Sequence, residues 1–289
     1  MSYVLDTNVH VLAADPAGRP IPSPSGRAPD WAAGATAEDV LGFMRQARVD
    51  HALVVPSGDY DNAYTVDAAN RYPESFTAVG KIDVTDPSAQ ALLTWLVQQP
   101  GIGGLRFEAP DGRESSKWLE APATLALWHE AEENGMSVGL ASVRQIDQLP
   151  AVQRLLERFP TVPVILRRMV EAPTEDGPPY AAARDFFALA RFPNVYSTFS
   201  HLNIRDAGKG KSTVQTFFET VVEKFGANRL MWASFFPAYR ATPEEPVKGL
   251  LDLIREELSF LPRGELDLLL GGTARQLFPA TQRAATATA

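Results

Sequence analysis

VLDTNVHVLAAD spans residues 4–15. An apolar start runs into Asp6, Asn8 and His10, which stand on alternate positions. In a β-strand, alternate residues share one face, so the stretch reads as a strand whose end projects three polar side chains together. The turn after this strand decides the fold. A doubly wound open sheet places a Gly-rich turn after its first strand, and DTNVHVLAAD contains no glycine. A closed barrel needs no such turn.

Seven more apolar runs lie further along the chain: HALVVP (51–56), FTAVGKID (76–83), IGGLRFE (102–108), MSVGLAS (136–142), VPVILRR (162–168), NVYSTFS (194–200) and RLMWASF (229–235). They are continuous rather than alternating, as strands buried on both faces are. Between them lie amphipathic stretches, among them AEDVLGFMRQA, DNAYTVDAANRY, SAQALLTWLVQQ, YAAARDFFALARF and TVQTFFETVVEKF. Their apolar residues recur at i, i+3 and i+4, the pattern of a helix with one buried face. Eight strand–helix units in order predict an α/β fold, a single-domain (β/α)8 TIM barrel over residues 1–280, with a disordered tail at 281–289. The Pro- and Gly-rich segment 15–39 is expected to be a long loop over the barrel mouth.

Composition narrows the class. The chain has 289 residues, 45% of them hydrophobic and 21% charged, as in an ordinary globular domain. A net charge of −8 argues against a nucleic-acid partner or an anionic membrane surface. With no cysteine, disulfides and thiolate zinc sites are excluded. The start shows neither a basic n-region nor an apolar h-region, so no signal peptide is expected and a cytoplasmic location is the default. Whether the chain forms a homo-oligomer is left open.

Five segments together resemble the amidohydrolase superfamily, in the branch that includes pyrone-dicarboxylate lactonases: LDTNVHV, VVPSGDYDNAYTVDA (54–68), GIGGLRF (101–107), RLMWASFFP (229–237) and GGTARQLF (271–278). The resemblance implies a barrel enzyme with its chemistry at the C-terminal ends of the strands. It also implies a divalent metal held by two histidines of strand one, further histidines on strands five and six, and an aspartate on strand eight that serves as general base. Here those positions hold Asn8 and His10, Ala141 or Ser142, Arg167-Arg168, and Phe235. Of that set only His10 is retained.

Catalytic zinc needs about three His, Asp or Glu ligands. An arginine is charged at any working pH, and beside a dication it would be repelled by several kcal/mol even at an effective dielectric of ~20. No cofactor and no catalytic metal are therefore expected. An unusual metal site of Asp6, His10 and Glu108 is the alternative. Phe235 also removes the base that metal-free relatives would use to activate water.

The remaining groups suit a small anionic substrate, cyclic or open-chain. Arg106 stands where the resemblance places a carboxylate grip, and a guanidinium meets a carboxylate in two parallel hydrogen bonds; a pair with Glu108 or Asp6 is the structural alternative. Strand alternation sends one of Arg167 and Arg168 inward, and Arg168 is taken as the inward, catalytic one. His10 is a candidate acid or base, or else a bonded core histidine. His201, after the seventh strand, could replace the missing base. Asn8, Tyr60, Ser234 and Phe235 are assigned to substrate binding; Asp61 and Asn62 to a helix cap; Tyr180 to a lid. Ser234 has neither a neighbouring histidine nor a Gly-x-Ser-x-Gly turn, so it is not read as a nucleophile. Two activities fit: metal-independent hydrolysis, or a lyase, isomerase or cyclase step that a dry pocket favours. A pseudoenzyme that binds a ligand or partner is the reading from another class.

Overall fold

The computed structural model describes residues 2–17, 21, 32, 35–57, 62–110, 112, 115–238 and 246–279. Tyr60, Asp61, most of the 15–39 loop and the tail lie outside these residues. Eight strands appear where apolar runs predicted them: β1 (Leu5–Val9), β2 (His51–Val54), β3 (Phe76–Asp83), β4 (Ile102–Glu108), β5 (Ser137–Leu140), β6 (Val164–Leu166), β7 (Val195–Phe199) and β8 (Leu230–Trp232). They pair in parallel in sequence order, β1 through β8. Past the strands proper, β1 and β8 are joined by Phe235 N–H to the Asn8 carbonyl (3.0 Å) and His10 N–H to the Phe236 carbonyl (2.8 Å). These bonds close the (β/α)8 barrel, and every C-terminal strand end faces one mouth.

Helices connect the strands: α1 (Ala37–Ala47), α2 (Ala63–Arg71), α3 (Ala89–Val97), α4 (Pro122–Glu133), α5 (Leu149–Arg158), α6 (Arg184–Ala188), α7 (His201–Ala207), α8 (Val214–Phe225), α9 (Pro246–Glu257), α10 (Arg263–Asp267) and α11 (Thr273–Leu277). The α1 boundary arises from its sequence. Thr36 accepts from the Asp39 N–H (3.2 Å) while Asp39 accepts from the Thr36 N–H (3.2 Å), a reciprocal cap. No helix among the described residues is long and apolar enough to cross a membrane.

Among the described residues the two main apolar cores lie on either side of the sheet. The larger lies between sheet and helices; in it Trp128 packs edge-on against Phe107 (5.7 Å) and stacks on Phe159 (5.4 Å). The smaller fills the barrel itself with Leu5, Leu53, Val55, Val79, Met231 and Phe278.

Three expectations change. Helix α7 was not foreseen: Ser200 ends the β7 run by accepting from the Leu202 N–H (3.2 Å), which starts a helix. Asn62 precedes α2 but does not cap it; its side chain clamps the Lys81 backbone through a carbonyl–N–H bond (2.7 Å) and an amide–carbonyl bond (2.9 Å). Tyr180 is no lid, being fully buried with its hydroxyl at 3.0 Å from Ser212 Oγ and 2.9 Å from Thr216 Oγ1.

Candidate active site

The seam between β1 and β8 holds the opening motif. Asp6 is buried, and its Oδ1 accepts from the N–H groups of Ser234 (2.9 Å) and Asn8 (3.2 Å). Burial pushes its carboxyl up to about 6, against the pull of these bonds. Asp6 thus braces the two strands. Ser234 completes the brace, its hydroxyl accepting from the Phe236 N–H (2.9 Å). Ser234 therefore sits under the mouth rather than in it.

His10 has both ring nitrogens engaged. Nδ1 lies 2.7 Å from the Val55 carbonyl, which can only accept, so Nδ1 carries the proton. Nε2 is then the acceptor and faces the Asn8 amide nitrogen at 3.3 Å. Burial pushes the ring down to about 4, and the charges of Arg106, Arg167 and Lys81 push the same way, so the imidazole is neutral at pH 7. It orients Asn8, which lines the cavity, as His10 itself does not.

The cavity at the barrel axis measures about 60 Å³. Its polar wall is made by Thr7, Asn8, Arg106, Arg167, Ser137 and Thr198; Phe235, Phe278, Gly139 and aliphatic side chains make the rest. Arg167, not Arg168, is the inward arginine. Ile165 already lines the cavity, and Arg167 stands two residues on. Arg168 comes after the end of β6, where alternation stops: residues 168–171 all have positive φ, from 50° to 54°. This left-handed turn of four non-glycine residues sends Arg168 outward to Glu171 (2.9 Å) and Asp206 (3.9 Å).

The Arg167 guanidinium lies over the Phe235 ring at 4.5 Å from its centre. The phenyl group that stands where the resemblance implies an acid thus supports a cation. Among the described residues, Nε and Nη1 of Arg167 and Nε of Arg106 are buried with no hydrogen-bond partner. Glu108 Oε2 approaches Arg106 Nε only to 3.8 Å. Burial, then Arg144, Arg106 and Arg168, push Arg167 down to about 9, still protonated at neutral pH. Burial also lowers Arg106, with Glu108 opposing.

Arg144 and Lys81 join this cluster and were not singled out in the sequence. Arg144 contacts Glu171 at 3.6 Å and Lys81 contacts Glu108 at 3.8 Å. Lys81 had a readable signal, a charged residue inside the apolar strand FTAVGKID. Arg144 had none, because it lies in a loop after β5. His201 opens α7 and does not line the cavity; burial, Arg205 and Arg168 lower its pKa.

The residues present do not fit a divalent cation. Asn8 turns an N–H donor toward His10 Nε2, the nitrogen a metal would need. Arg167 and Phe235 line the same cavity, a cation and a phenyl ring where further ligands would have to stand. Asp6 faces Ser234, and Glu108 faces Lys81 and Arg106, so the Asp6–His10–Glu108 alternative does not assemble. Among the described residues no three His, Cys, Asp or Glu side chains form a metal-binding group.

Comparison with known proteins gives a family, a distant relative and a shared fold. The amidohydrolase family profile matches residues 5–280. The L-fucono-1,5-lactonase of Burkholderia ambifaria is 25% identical over 213 residues, covering 70% of each chain. Among solved structures, a probable 2-pyrone-4,6-dicarboxylic acid hydrolase from Acinetobacter baumannii with citric acid bound superposes with a TM-score of 0.69 at 18% identity, covering 96% of this chain and 99% of that one. The 5-carboxyvanillate decarboxylase of Sphingomonas paucimobilis superposes at 0.65 with 15% identity, over 96% and 99%. The family profile over residues 5–280 makes the chain a member of the amidohydrolase family, and the solved structures it superposes on share its TIM-barrel fold.

Proposed function

We propose that the chain is a metal-independent amidohydrolase-family enzyme acting on a small carboxylate, with Arg106 and Arg167 as the anion grip. The observation that carries this is the composition of the cavity wall. Two arginines present buried N–H groups without partners, while none of the described lining residues is a carboxylate or an imidazole. Buried donors without partners cost about 1–3 kcal/mol each, more when charged, and a carboxylate is the small ligand that guanidinium groups bond most strongly.

The same wall favours a lyase or isomerase step over hydrolysis. Hydrolysis needs a group to take a proton from water, and Phe235 occupies the strand-eight position. Arginines instead stabilise negative charge that develops as a bond next to the carboxylate breaks, and they do so without water. Asn8, fixed by His10, offers an amide to the same substrate. A barrel that binds a carboxylate without turning it over is the second reading, and the engagement of both His10 nitrogens favours it.

The test is a panel of small cyclic and aromatic carboxylates incubated with chelator-treated protein and monitored by mass spectrometry. Consumption that persists in chelator and disappears in Arg106→Leu supports the proposal. Consumption restored only by added zinc or manganese overturns it; binding without consumption favours the second reading.

A further inference from the structure

The cavity continues below the arginines, and one wall of it is missing. Interior positions of such barrels are ordinarily filled by branched side chains in layers. Leu53, Val55, Val79 and Ile165 obey that rule here, with Met231 beside them. On β5 and just beyond it, the three inward positions are Ser137, Gly139 and Ala141, and all three line the cavity. The resulting space reaches down to Phe278, after α11 at the closed end of the barrel. A water needs about 10–15 Å³ by this measure, so the whole cavity of about 60 Å³ has room for roughly four to six such groups.

One polar atom lies deep in this apolar space. Ser137 is 4% exposed, and its Oγ has no hydrogen-bond partner. Strand register gives its depth: Arg106 pairs with Gly139 and Gly104 with Ser137. Ser137 is therefore two residues, or about 7 Å, below the level of Arg106. Gly139 sets the width between them. A Cβ added there would meet only the Leu105 carbonyl oxygen, at 3.6 Å, an ordinary contact, so nothing in the packing demands glycine.

We infer that this throat receives a short apolar arm of the substrate, with Gly139 leaving room for the arm and the Ser137 hydroxyl bonding a polar atom at its far end. The inference rests on the reading of Arg106 and Arg167 as the anion grip. It selects carboxylates bearing an arm of up to roughly four or five non-hydrogen atoms, the length that spans the roughly 7 Å between the level of Arg106 and Ser137. It rejects polyhydroxylated acids, because every hydroxyl along an apolar wall would lose its water without a replacement.

Calorimetric titration of the full chain with straight-chain carboxylates from acetate to hexanoate tests it. Affinity should rise about fourfold per methylene until the throat is full and then level off. Gly139→Val should cut the whole gain to under twofold; Gly139→Ala, a milder change, should end the rise about one methylene earlier. 5-Hydroxypentanoate should gain about fivefold from its hydroxyl, a gain lost in Ser137→Ala. Arg106→Leu should weaken every acid by a similar factor and keep the slope. A flat series with binding still dependent on Arg106 overturns the throat alone. A slope that ignores Arg106→Leu overturns the grip and, with it, the orientation inferred here. No binding at any length overturns both.

Discussion

Two buried polar sites at opposite ends of this barrel are treated in opposite ways. At the N-terminal end, His51 is fully buried and both ring nitrogens are bonded, Nε2 to Thr77 Oγ1 (2.9 Å) and Nδ1 to the Glu74 carbonyl (3.2 Å). At the C-terminal end, Arg106 and Arg167 keep buried N–H groups with no partner among the described residues. A satisfied buried group stabilises the fold. An unsatisfied cation lowers stability until an anion arrives. The contrast separates structure from function more sharply than residue type does, since the same chain contains a histidine that is architecture and arginines that are not.

Four experiments break or sharpen that contrast. The largest effect is expected at the closed end. His51→Ala removes two bonds and leaves a void, so unfolding free energy in urea should fall by about 4 kcal/mol while carboxylate affinity does not change. A chain that loses ligand binding but not stability would contradict the division.

Acid comes next. Burial holds His10 and His51 near 4, below the ordinary 6.5, and lifts Asp6 to about 6 from 3.8. As pH drops below 6.5 the unfolded chain takes up two histidine protons that the folded chain refuses, which lowers stability. Asp6 works the other way between about 6 and 4, where the folded chain takes the proton first. The net difference of one proton predicts a loss of about 3 kcal/mol between pH 7 and 4.5. Urea titrations at the two values check it; constant stability would mean that the imidazoles are not held neutral.

At the open end, Arg106→Leu should weaken carboxylate binding about 100-fold, read by calorimetry, because a charge-assisted bidentate contact is lost. The smallest effect should be a gain. Arg167→Met removes orphaned donors at the cost of the contact with Phe235, and should raise unfolding free energy by about 1 kcal/mol, or a few degrees of melting temperature. A clear loss of stability would show that Arg167 is structural.

The fold was legible because burial on both faces writes each strand as an apolar run, and all eight runs became strands. Alternation failed at one place that mattered. It holds only while the backbone is extended, and β6 ends at Leu166 before a left-handed turn. The sequence RRMVE contains no glycine to announce that turn, so Arg168 was read as inward in place of Arg167. Arg144 was invisible for a related reason: a loop residue has no periodicity to give its direction. Ser137 and Gly139 looked like ordinary strand residues, and Ala141 stood out only as a candidate for the strand-five histidine position, because a cavity is a property of facing walls that no single strand encodes.

The most direct measurement is diffraction from crystals grown with both zinc and butyrate, recorded across the zinc edge. The account predicts a carboxylate bonded to Arg106 and Arg167, its chain pointing toward Gly139, and no anomalous peak beside His10. A zinc peak on His10 Nε2, with butyrate on the metal or absent, would contradict it.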